Sequence, residues 1–176
     1  MKHHKGITRK LLLVVGSAAA LAAVMTIPAG AVGTSASFTL TAGALSISAP
    51  AGPVSLGTQA VSNAQSTISG TLGVVTVSDL RGGVTTWTAS VISTAFTPTA
   101  GPADPASNIS YTAGTITQAN VVATAVPETD LTGVSTVMTG SSASNSTASW
   151  NPTITIIVPA NEAAGVYTAT ITDSVA

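Results

Sequence analysis

The sequence predicts an all-β fold, an immunoglobulin-like or Greek-key β-sandwich of about eight to nine strands preceded by a helical signal peptide. Apolar and hydroxyl residues alternate with period two through most of the chain, as in residues 38–42 (Phe-Thr-Leu-Thr-Ala) and 45–48 (Leu-Ser-Ile-Ser). No stretch beyond the leader sustains a helical period. Clusters of Pro, Gly, Asn and Ser separate the alternating runs.

The first 31 residues have the three parts of a secretory leader. Residues 1–10 are basic, 11–24 form an apolar run, and Ala29-Gly30-Ala31 offers small residues for cleavage after Pro28. The run of fourteen residues is shorter than the roughly twenty a membrane span needs, so cleavage after Ala31 is expected, against an uncleaved anchor helix. Residues 32–176 then make a single domain of a size that one core can stabilise.

Strands are expected at 38–42, 45–48, 53–61, 66–80, 84–93, 115–125, 134–139, 153–158 and 165–175. Gly70 and Gly73 interrupt the 66–80 run, which should bend or pair twice. Turns fall at 49–53 and 81–83, and Asn161–Gly165 reads as a turn rather than a helix. Residues 97–108 and 141–149, rich in Ser, Ala, Pro and Asn, read as long loops, either mobile spacers or binding surfaces. Alternation also assigns faces. Trp87, Ala89 and Val91 share one side, Ile154, Ile156 and Val158 another, and Tyr167, Ala169, Ile171, Asp173 and Val175 a third. These sides should form the core, with Thr and Ser on the wet side.

Composition narrows the chemistry. Both histidines (His3, His4) and four of the five cations precede residue 11, and the chain contains no cysteine. After cleavage Arg81 stands alone against six acids, a formal charge of −5. Nucleic acid and anionic membrane surfaces are therefore not expected partners. With no thiolate or imidazole left, zinc, iron–sulfur and haem cofactors are not expected either. General acid–base or nucleophilic catalysis loses its usual groups. Glu128 and Asp130 remain as a carboxylate pair for glycoside hydrolysis or calcium binding, or as solvated loop charges. The Thr-x-Thr runs lack the repeat of an ice-binding solenoid and read as wet strand faces. Asn108-Ile109-Ser110 and Asn145-Ser146-Thr147 match the short glycosylation pattern.

Asp79 and Arg81 flank Leu80 just before Gly82-Gly83 and the strand bearing Trp87. The pair can form a local charge-assisted hydrogen bond that fixes this turn. Alternatively, Arg81 and Trp87 together hold a sugar or peptide.

Two strings resemble the bacterial WxL surface domain, a cell-wall-binding module. Val77-Ser78-Asp79-Leu80-Arg81-Gly82-Gly83 followed by Thr86-Trp87-Thr88-Ala89-Ser90-Val91 is similar to its "V-x-D-x-R-G … G-W-T-L-x-V" region. Residues 158–172, ending Val166-Tyr167-Thr168-Ala169-Thr170-Ile171-Thr172, are similar to its terminal "Y-x-x-x-L-T-W-x-L" strand. Ala89 stands where the motif has Leu, Asp173 where it has its second Trp, and Val175 where it has Leu. The resemblance implies a β-fold and association with peptidoglycan, with Asp79, Trp87, Tyr167 and Ile171 as motif positions.

These readings converge on a secreted, non-catalytic protein held non-covalently at the bacterial cell wall, its partners a wall polymer or other surface proteins. The rival expectation is a structural subunit of a surface fibre, matrix or adhesin that assembles through strand edges, since Thr-rich strands without Lys defend their edges poorly. The sequence leaves the oligomeric state open.

Overall fold

The computed structural model describes residue 30 and residues 32–176; the leader and the expected cleavage position at Ala31 lie outside the described residues. The chain divides after Thr39 into two units. In the first, the described residues form no strand. The second, Leu40–Ala176, is an antiparallel all-β sandwich. Its strands are β1 (Leu45–Ser48), β2 (Ser66–Thr71), β3 (Val75–Asp79), β4 (Thr85–Ser93), β5 (Thr97–Pro98) and β6 (Ile109–Thr112). They continue with β7 (Ile116–Ala125), β8 (Ser135–Trp150), β9 (Thr153–Val158), β10 (Tyr167–Thr168) and β11 (Ile171–Val175).

The larger sheet runs β1-β3-β8-β4-β11, with β7 also paired to β8. β4 takes residues 135–142 of β8 and β3 takes 146–150, so both lie along one edge of this long strand while β7 follows the other. β1 and β11 approach each other without a ladder between them, and the sheet is nearly closed. A second sheet has the order β2-β9-β6, and β5 pairs with β10. The core lies between the sheets: Val75, Val77, Trp87, Ala89 and Val91 from one meet Ile109, Tyr111, Ile154 and Ile156 from the other. Trp150 donates from Nε1 to the Tyr111 hydroxyl at 2.7 Å, which satisfies a buried N–H that an apolar core would otherwise strand.

The strands at 45–48, 84–93, 115–125 and 153–158 form within a residue of the expected limits. The 66–80 run divides into β2 and β3 at Gly73, whose φ of +100° an L side chain rarely adopts. The 165–175 run divides into β10 and β11.

Three expectations are corrected. Residues 141–149 are no loop: they belong to β8, whose inward positions are Gly140, Ser142, Ser146, Ala148 and Trp150. At Gly140 the Trp87 indole occupies the space, and a Cβ there would overlap its ring. Runs 38–42 and 53–61 alternate like strands yet pair with nothing. The strand β6 lies where none was expected. Residues 97–108 do contain irregular chain, but it is pinned. β5 and a 3-10 turn at Ala106–Asn108 punctuate it, Phe96 and Asp104 exchange backbone bonds, and buried Asp104 accepts from the Asn108 amide at 2.6 Å.

Candidate functional site

The densest polar constellation is built around Asp79 at the end of β3. Its carboxylate is 1% exposed. Arg81 Nε donates to Oδ1 and Arg81 Nη2 to Oδ2, both at 2.9 Å, a fork that matches the two carboxylate oxygens. The Arg81 backbone N–H adds a third bond at 3.1 Å and the Thr85 hydroxyl a fourth at 2.7 Å, and Thr85 in turn meets Ser142 Oγ at 3.0 Å. The second Nη2 contact, to the Thr86 carbonyl at 2.8 Å, ties the guanidinium to β4. These donors, the Arg81 side chain foremost, hold the Asp79 carboxyl well below the usual carboxylate range against the opposing effect of burial. Gly82 and Gly83, both at φ +72°, let the chain reverse tightly enough to bring Thr85 and Thr86 back over Asp79.

Trp87 is 3% exposed, enclosed against Gly140 on the core side of β4. The Trp87 indole thus offers no open face to a sugar, and Arg81 directs Nε and Nη2 onto Asp79 and the Thr86 carbonyl. Tyr167 is half-buried and its hydroxyl donates to Glu162 Oε2 at 2.9 Å, with the Ala163 carbonyl at 3.0 Å. Ile171 is half-buried on the core side of β11. Asp79 and Arg81 are thus brought together with Thr85 and the Thr86 carbonyl, whereas Trp87, Tyr167 and Ile171 lie elsewhere in the packing.

The remaining acids are dispersed. Asp130 accepts from the Thr132 N–H at 2.8 Å and hydroxyl at 2.7 Å, a turn-forming pattern that holds its carboxyl below the usual carboxylate range. Glu128 contributes its backbone to a bridge with Tyr111. Among the described residues no three His, Cys, Asp or Glu side chains converge as a metal site. Asp173, on the core side of β11, has one carboxylate oxygen buried without a hydrogen-bond partner, and burial pushes its carboxyl up to about 6. Alternation placed Asp173 on its core side, but the Thr85–Ser142 pair was not legible, because tertiary pairing across 57 residues brings Ser142 to Thr85.

Recessed space is shallow. An open groove of about 290 Å³ is lined by Thr94, Ala95, Thr97, Thr168, Ala169 and Thr170, none of them titratable. The broad feature is instead the outer face of the larger sheet. Strand register places Ser48, Thr76, Ser149 and Thr117 in one row across β1, β3, β8 and β7, and Ser46, Ser78, Thr147 and Ala119 in the next. Thr88, Thr139 and Thr124 form a further row across β4, β8 and β7. Thr76 and Ser149 hydroxyls are 2.9 Å apart, so the rows are partly self-bonded, and no charged side chain interrupts them.

No family model, curated protein or solved structure matches this chain. Among the described residues no helix is long and apolar enough to cross a membrane.

Proposed function

We propose that this is an exported, non-catalytic protein of the bacterial cell surface that associates non-covalently with the wall polymer or with surface proteins. The carrying observation is the uncharged hydroxyl face of the larger sheet, set against an interior that encloses both indoles and the Asp79 carboxylate. Neutral hydroxyl rows suit a polymer dense in hydroxyl and amide groups: each contact is weak, and repeated sites along the polymer supply avidity. The likeness of residues 77–91 and 158–172 to WxL domains supports the same reading. Asp79, Trp87, Tyr167 and Ile171 are the motif positions of that likeness. Incubating residues 32–176 with purified cell walls and sedimenting them tests the reading. Retention at both low and high salt is expected, because no charge on the face is there to be screened. Protein left in the supernatant at both would refute it.

A second reading, assembly of copies through strand edges, is favoured by β7. This ten-residue edge strand pairs only with β8 among the described strands and has no charged residue or proline along its length. Such an edge invites strand addition. A chain that stays monomeric by light scattering at high concentration would remove this second reading without touching the first.

A further inference from the structure

Residues 35–42 present the opposite half of the same problem. Phe38, Leu40 and Ala42 alternate with Thr39 and Thr41, the pattern of a strand with one apolar side. Yet the segment forms no ladder, and Phe38 and Leu40 are 87% and 85% exposed. Backbone pairing of the N-terminal chain begins only at Gly43, whose N–H donates to the Leu80 carbonyl at 2.8 Å. An unpaired strand sequence with two large exposed apolar side chains is a solvation cost that strand addition would relieve.

Among the strand edges, β7 fits it. β1 and β11 face each other across the sheet's seam, the backbone at Leu56 crowds β2 at Gly70, and β6 carries the bridge to Glu128. On β7 the core-side residues Ile116, Ala123 and Ala125 are only half-buried, so the inner layer is incompletely covered there. Val122, on the outer side, is 70% exposed. The Val126–Val137 bond fixes the ladder's alternation, so the N–H groups of Val121, Ala123 and Ala125 point away from β8. Gln118 Oε1 folds over the bulge at Asn120 and covers one of them, that of Ala123, at 2.9 Å. A strand with apolar residues inward and threonines outward extends both layers of the sandwich. Neither partner carries a charge to oppose the pairing.

We propose that residues 35–42 of one copy add as a strand to the free edge of β7 in a second copy, joining the chains head to tail. The inference rests on the edge-assembly reading above and names its two halves. A chain's own β7 is poorly placed as the acceptor. From Gly43, at the β1 position, the free side of β7 lies four strand spacings away, about 19 Å, which consumes about six of the eight residues before pairing could start. A heterologous contact of this kind does not close on itself and propagates as a filament.

The test uses residues 32–176 and two variants that alter only exposed positions. Phe38→Asp with Leu40→Asp disables the donor, and Val122→Lys with Thr124→Lys blocks the acceptor; fluorescence of the enclosed indoles checks that each stays folded. The unmodified chain should form concentration-dependent multimers by light scattering, and filaments by electron microscopy. Each variant alone should stay monomeric, with association weakened by at least about tenfold. Mixed in equal amounts, the two should give a species of twice the monomer mass and nothing larger, since one intact donor meets one intact edge. Multimers of the donor variant alone, or a mixture that stays monomeric, would overturn the assignment of these segments while leaving edge assembly in place. A monomeric unmodified chain would remove both.

Discussion

Two carboxylates set opposite pH responses in this domain. Asp79 is stabilised in its charged form, so its contribution is present above the ordinary carboxylate range and is lost as pH falls through and below it. Asp173 behaves in reverse. Burial raises it to about 6, so the native state takes up a proton before the unfolded chain does, and stability rises as pH falls from 7 toward 4. Asp104, raised by burial, has the same sign. Urea unfolding should therefore show greatest stability near the top of the ordinary carboxylate range, about pH 4–5. Asp173→Asn should flatten most of the slope between pH 5 and 7, a span on the order of 1–2 kcal/mol once partial solvent screening is allowed for. An unchanged slope would contradict the assignment. Arg81→Ala leaves Asp79 enclosed with only Thr85 and a backbone N–H, and should lower the urea midpoint at pH 7. Exposure of the guanidinium keeps this loss below that of a fully enclosed pair. The loss should shrink below pH 4 as Asp79 is neutralised.

Among the elements, β8 explains which parts of the fold could be read from sequence. β4 and β9 announce themselves because apolar residues recur at inward positions (Trp87, Ala89 and Val91; Ile154, Ile156 and Val158), and alternation needs that contrast to be visible. The first part of β8 matches the strand expected at 134–139, but its continuation hides, because inward residues there are small and Gly140 makes room for the distant Trp87 indole. Its sequence of Gly, Ser, Ala and Asn therefore carries the composition of a loop. Gly140→Ala should expose this complementarity: the added methyl meets the Trp87 ring, and the overpacking should cost about 2–3 kcal/mol in thermal or urea unfolding, with blue-shifted tryptophan emission moving red. The opposite error arose at 38–42 and 53–61, where a strand pattern finds no partner within the chain. Pattern specifies what a segment can pair as; whether it pairs depends on what lies beside it.

For the molecule as a whole, the all-β class and the Asp79–Arg81 pairing were legible because both depend on near neighbours in sequence. The hydroxyl rows were legible only as alternating threonines: their alignment needs the register of four strands, which no single strand encodes. The same holds for the bond between Trp150 and Tyr111, 39 residues apart. One further property follows from the clamped guanidinium. Trypsin-like proteases cut after Lys or Arg, and residues 32–176 offer them a single bond, Arg81-Gly82. The side chain such an enzyme must draw into its specificity pocket is already forked onto Asp79 and tied to Thr86. Folded protein should outlast a trypsin digest, whereas Asp79→Asn should be nicked into two fragments. The domain thus carries its resistance to such enzymes in the one residue that could have been its weak point.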